Sequence, residues 1–175
     1  MYDLPLVFKA LSFAAVAHSE QTRKGANAEP YINHPIEVAR FLVEVGQQSD
    51  GTLLAAALLH DTVEDTAVTE QQLREVFGNT VTDLVMEVTD DKSLPKVERK
   101  RLQVAHASSL SHNARLLKLA DKCCNLRDLG MNTPLGWDLD RIRRYFDWAE
   151  AVVSKVRGLN PAMDSAYDRI AAQKP

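Results

Sequence analysis

The sequence predicts an all-α, single-domain bundle of about eight to ten helices spanning residues 1–175. Three observations carry that expectation. Apolar residues recur at three- and four-residue spacing almost throughout. No stretch alternates with period two for long enough to form a strand. Helix-starting and helix-stopping residues punctuate the chain at regular intervals.

Asp3 and Pro5 open a first helix whose apolar positions, Leu6, Phe8, Leu11, Phe13, Ala14 and Ala17, carry it to about Ser19. Residues 20–33 are polar, hold Gly25 and Pro30, and read as a long ordered loop. Pro35 suits the first position of a helix that ends near Val45 and Gly46. Asp50 then caps a helix from Gly51 through Thr62. That helix is apolar on every side from Leu53 to Leu59, so it belongs at the centre of the core.

Thr69 and Gln72 form a capping-box pattern for a short helix ending at Phe77 and Gly78, and another helix follows to about Thr89. Residues 90–94 read as a polar turn. Pro95 opens a basic helix toward His106, and residues 108–112 read as a loop. A long helix runs from about Ala114 to Leu129, broken at Gly130 to Gly136 by Pro134. A helix from about Trp137 to Val156 and a last one starting at Pro161 complete the chain.

A length of 175 residues fits one core. With 45% hydrophobic and 26% charged residues the composition is that of a globular protein. The formal charge of -3 and pI near 5.9 argue against a nucleic-acid partner, which wants a basic stripe, but leave room for a small anionic ligand. The apolar run from Gly51 to Leu59 is too short to span a membrane, and the N-terminus lacks the pattern of a signal peptide. A cytoplasmic location is therefore expected. The two cysteines, Cys123 and Cys124, are neighbours whose side chains diverge by about 100° on a helix, so they read as unpaired small hydrophobes.

His60 and Asp61 fall at the end of the apolar helix, where burial is costly unless the pair is hydrogen-bonded or bound to metal. Glu64 and Asp65 follow at i+4, stacked on the first pair if the helix continues. One imidazole and three carboxylates at a buried helix end point to metal or acid/base chemistry. Alone, the pair reads equally well as a helix cap beside solvated acids. Two further residues weigh against that: Asp121 lies in another apolar helix, and His34 stands at a helix start before Pro35.

Three segments now resemble a known family. They are Tyr31-Ile32-Asn33-His34-Pro35, then Leu58 through Thr66 with its Leu-Leu-His-Asp-Thr-Val-Glu-Asp-Thr run, then Leu117 through Arg127 around Asp121 and Asn125. Their order and spacing resemble the HD-type hydrolase region of RelA/SpoT proteins. The likeness runs from about Phe13 to Trp148 and is nearest to the stand-alone small alarmone hydrolases of the metazoan SpoT-homologue type.

The resemblance implies a helical HD fold with one manganese ion held by His34, His60, Asp61 and Asp121. It implies hydrolysis of the 3′-diphosphate of guanosine 3′,5′-bis(diphosphate) and its pentaphosphate form. Metazoan members are also associated with removing the 2′-phosphate of NADPH, so a phosphatase acting on NADPH or nucleoside monophosphates stands as the alternative. The residue chemistry agrees with a metal: two imidazoles and two carboxylates without sulfur suit manganese, iron or zinc. Glu64 and Asp65 are left over to orient or deprotonate water.

For the substrate, a small guanine nucleotide, the resemblance places Arg23 and Lys24 beside the base and phosphates, and Arg141 and Tyr145 near the ligand. Asn125 lies one turn after Asp121 and shares its face, which suits a hydrogen bond to a ribose or phosphate oxygen. Lys96 and Lys100, four apart at the start of a basic helix, share one side that suits the distal diphosphate. Trp137, Phe146 and Trp148 read as packing residues. The Cys123-Cys124 pair departs from the family pattern but touches no expected ligand.

Overall fold

The computed structural model describes residues 3–25 and 27–175. Among them the chain forms nine α-helices: α1 (Leu4–Ala17), α2 (Asn33–Glu44), α3 (Gly51–Leu59), α4 (Thr62–Asp65), α5 (Glu70–Val88), α6 (Lys96–His106), α7 (His112–Met131), α8 (Leu139–Val156) and α9 (Pro161–Ala171). A 3₁₀ turn, Ala107–Ser109, links α6 to α7. No strand occurs among the described residues, only two isolated bridges, Thr22 with Pro30 and Gly25 with Pro134. The all-α expectation holds.

The caps explain most of the boundaries. Asp3 accepts from the Leu6 backbone N–H at 3.1 Å, Asp50 from Thr52 at 2.8 Å, and Asp138 from Arg141 at 2.7 Å. Each satisfies an amide that the first helical turn leaves unpaired. Thr69 and Gln72 form the expected reciprocal capping box. The two helices expected on either side of Gly78 are two arms of α5, joined at a kink where Gly78 takes φ 75°. A side chain is strained at that φ, which glycine adopts freely.

Helix α3 is the axis of the bundle. All its residues except Thr52 are buried, and it packs against α1, α2, α5 and α7. Its neighbours come close because its first residue has no side chain: a Cβ on Gly51 would lie 2.6 Å from that of Asp3. Burying each of its leucines is worth about 1.5–3 kcal/mol. The thiols of Cys123 and Cys124 are buried and unpaired, and burial pushes that of Cys124 up to about 12. Both are inert packing groups, as expected.

Several boundaries differ from expectation, among them those of α7, which runs from His112 to Met131 through Gly130 rather than from about Ala114 to Leu129. Helix α2 begins at Asn33 rather than Pro35, which places His34 inside its first turn. Helix α8 begins at Leu139 rather than Trp137, because Asp138 is the cap. Most consequentially, α3 ends at Leu59 and not at Thr62. There the His60 ring Nδ1 donates to the Ala57 carbonyl at 2.8 Å and the Thr62 hydroxyl donates to the Leu59 carbonyl at 2.7 Å. Side chains thus take the last carbonyls of the helix, and the chain turns before the single turn α4.

Candidate metal centre and nucleotide cavity

Three helices converge on one point. The start of α2 supplies His34, the end of α3 supplies His60 with Asp61 after it, and the middle of α7 supplies Asp121. Ligand atoms of His34, His60 and Asp121 all lie within 4.8 Å of one another. Asp61 closes the fourth side: its carboxylate stands 3.3 Å from His60 Nε2 and 3.8 Å from His34 Nε2. The four residues, read from three separate segments, therefore meet.

The hydrogen bonds around the cluster fit a cation at its centre. A carbonyl can only accept, so the 2.8 Å contact to Ala57 puts the ring proton of His60 on Nδ1 and leaves Nε2 as a bare lone pair. That lone pair is buried, has no hydrogen-bond partner, and looks toward Asp61 and, at 3.8 Å, Asp121. Lone pair facing carboxylate is repulsive unless a positive charge lies between. Two imidazole nitrogens and two carboxylates form a nitrogen and oxygen donor set that suits a first-row divalent ion.

The carboxylates are ready to serve as ligands. Burial pushes Asp61 toward the protonated form, yet positive charge on its His60 and His34 side, together with the hydrogen bond from the Tyr31 hydroxyl, holds the group below the usual carboxylate range. Asp121 also resists burial, chiefly through the Lys122 ammonium, and lies well below that range. Lys122 Nζ donates to Asp121 Oδ2 at 2.9 Å, while Asn125 Nδ2 donates to Asp121 Oδ1 at 2.5 Å. Asn125 thus shares the Asp121 face, and Lys122 is a buried partner that sequence reasoning passed over.

The two acids after the cluster part company. Asp65 keeps its place one turn from Asp61, its backbone N–H donating to the Asp61 carbonyl at 2.8 Å. Its carboxylate accepts from Lys92 at 2.6 Å and lies 3.2 Å from the Tyr31 hydroxyl, and it lines the adjoining cavity. Glu64 does not stack on a continuous helix above His60, because α3 has already ended. It accepts instead from the Asp90 backbone N–H at 3.1 Å and lies 3.2 Å from Lys92 and 3.6 Å from Arg99. Burial, with Asp90 and Asp61 nearby, raises its affinity for a proton despite the Asp90 N–H and Lys92.

Beside the cluster opens a cavity of about 490 Å³, within the size range that holds small ligands. Arg23, Lys24, Lys96, Asn125 and Tyr145 line it, as do Tyr31 and Trp137. Arg141 stands behind this wall, its guanidinium 4.3 Å from the centre of the Trp137 ring. Trp148 lies deeper, between the Lys100 and Lys122 ammonium groups at 4.3 and 4.4 Å. Lys24, Lys96, Lys100 and Arg141 have no carboxylate partner among the described residues. Arg23, by contrast, is tied to Asp128 and to Asn125 Oδ1 at 3.3 Å, with its guanidinium 5.7 Å from the Tyr31 ring centre.

Comparison with known proteins agrees with this geometry. The family model described as HD domain matches residues 10–141. A zebrafish (Danio rerio) protein named guanosine-3′,5′-bis(diphosphate) 3′-pyrophosphohydrolase MESH1 is 50% identical over 165 residues, covering 94% of this chain and 92% of its own. The human (Homo sapiens) protein of the same name is 49% identical over 168 residues, covering 96% and 94%. A solved structure described as a metazoan ortholog of SpoT that hydrolyzes ppGpp and plays a role in starvation responses superposes with a TM-score of 0.96 at 45% identity, covering 99% of this chain and 98% of the other.

Proposed function

The chain belongs to the HD-domain family, and from that premise we propose that it is a manganese-dependent hydrolase of guanosine 3′,5′-bis(diphosphate) and its pentaphosphate form. The products are GDP or GTP and pyrophosphate. The observation that carries this reading is the meeting of His34, His60, Asp61 and Asp121 beside a nucleotide-sized cavity lined by Lys24 and Lys96, which have no carboxylate partner among the described residues.

A divalent ion bound by those four residues supplies positive charge to the phosphate under attack and lowers the pKa of water. The chain does the rest. Asp65, on the cavity wall, takes the proton from the water that attacks the 3′-linked phosphorus. The bond from that phosphorus to the ribose 3′-oxygen breaks, and the oxygen leaves with a proton. Glu64, directly behind and with raised proton affinity, serves as the second acid/base group. Asn125 holds a ribose or phosphate oxygen beside Asp121, while Lys24, Lys96 and Arg141 balance the diphosphates. Arg23 and Tyr145 flank the base. Two unpaired thiols suit the reducing cytoplasm, where we place the enzyme.

The test is a product assay with manganese, the tetraphosphate alarmone, NADPH and nucleoside monophosphates, separated by anion exchange. GDP and pyrophosphate in equal amounts are expected. Orthophosphate as first product, or turnover of NADPH with none of the alarmone, overturns the reading.

A further inference from the structure

Tyr31 stands three residues before His34, at the end of the loop between α1 and α2. Its hydroxyl donates to Asp61 Oδ2 at 2.7 Å and lies 3.2 Å from Asp65 Oδ2. One hydroxyl carries one proton, so it commits to the nearer carboxylate, while Asp65 has the Lys92 ammonium at 2.6 Å to balance its charge. A phenol ordinarily ionises only at about pH 10, so at neutral pH the hydroxyl is a donor. Held by Tyr31, Oδ2 of Asp61 lies 3.8 Å from His34 Nε2 while Oδ1 lies 3.3 Å from His60 Nε2, so the hydroxyl sets the plane in which the carboxylate meets both imidazoles.

The ring that aims this hydroxyl is itself fixed. The buried His18 ring stacks on Tyr31, with centroids 4.9 Å apart and planes inclined by 30°. His18 Nδ1 pairs with Gln21 Oε1 at 2.7 Å, and the Gln21 amide donates to the Asp65 carbonyl. The Tyr31 backbone N–H donates to the Gln21 carbonyl at 2.9 Å. A closed circuit thus joins the end of α1, the loop and α4 around one phenol.

We infer that Tyr31 is a positioning residue that fixes the orientation in which the Asp61 carboxylate faces the metal ion, with His18 and Gln21 holding its ring. The inference rests on the metal site proposed above. Groups that orient a ligand from outside the coordination sphere are typically worth 10–100-fold in metal affinity or activity. Tyr31→Phe keeps the ring on His18 and deletes only the hydroxyl.

Manganese(II) chloride is titrated calorimetrically into wild type, Tyr31→Phe, Asp61→Asn and the double variant, with thermal melts of the metal-free proteins to verify folding. Tyr31→Phe is expected to weaken manganese binding about 10–100-fold and to lower kcat more than it changes KM. Because Tyr31 acts through Asp61, its deletion should add little once Asp61 is already changed. An unchanged manganese affinity in Tyr31→Phe overturns the inference, and so does a loss that adds in full to that of Asp61→Asn. A wild type that binds no manganese overturns the metal site and the inference together, which separates the two failures.

Discussion

The floor of the site and its rim are built on opposite terms. At the floor, His34, His60 and Asp121 are 3, 6 and 8% exposed, and helices packed around α3 hold them. Two ring nitrogens there, His34 Nδ1 and His60 Nε2, have no hydrogen-bond partner, and the bare lone pair on His60 faces the carboxylates. At the rim, Lys24, Lys96 and Arg141 are exposed and carry charge without a carboxylate partner among the described residues. The floor has spent its conformational freedom on folding, whereas the rim still has its own to lose on binding. Changes at the floor should therefore act nearly all-or-none, and changes at the rim by degrees.

The largest expected effect is His60→Ala. It deletes a donor and leaves Asp61 and Asp121 facing each other with one imidazole fewer. Metal content by elemental analysis and turnover should fall together, by more than the 10–100-fold typical of groups outside the coordination sphere. Wild-type metal content in this variant would place the ion elsewhere.

Next come the two acids, which lie between floor and rim. Asp65→Asn should lower kcat by about 10²–10⁴-fold while manganese binding persists, the range for general acid–base assistance. Glu64→Gln falls in the same range if the two acids share the proton, and less if Asp65 works alone. Full kcat in both variants would assign the proton transfer to the substrate.

Arg23→Ala tests whether the two regions are independent. A hydrogen bond to a charged group is worth about 1.5–3 kcal/mol, so KM should rise about 10–100-fold. Arg23 also touches Asn125, which touches Asp121. Unchanged metal affinity would keep rim and floor separate, whereas a weaker one would show that they are joined through Asn125.

The sequence carried most of the floor and less of what aims it. His60 and Asp121 stand in segments whose apolar character already buries them, Asp61 follows His60, and His34 stands at a helix start, and buried groups of that kind need partners. The end of α3 was not legible, because it depends on His60 and Thr62 turning back onto Ala57 and Leu59 rather than on any breaker residue. The separation of Glu64 from Asp65 follows from that turn. Tyr31 and Lys122 stood beside two expected ligands in the chain, but only the folded loop shows the hydroxyl reaching Asp61, and only α7 packed on α8 brings Trp148 over Lys122. Neighbours of ligand residues with a polar tip on a large apolar body are the signal that could have found both.

The smallest expected effect belongs to Lys100, one turn behind Lys96 on α6 and lying over the Tyr145 and Trp148 rings at 5.0 and 4.3 Å. Burial, then the charges of Lys96, Lys122 and Arg141, bring its ammonium down to about 8. The sign follows from that direction. Below about pH 8 Lys100 is charged and attracts a polyphosphate, and above it the attraction is lost. kcat/KM reports the free enzyme, so it should decline as pH rises through that value. The decline should be only a few-fold, as for one partly solvated charge worth about 0.2–1 kcal/mol. Lys100→Met should remove this inflection and leave manganese content unchanged. If the inflection survives, the titrating group lies at the floor, and the division between a rigid floor and a graded rim has been drawn in the wrong place.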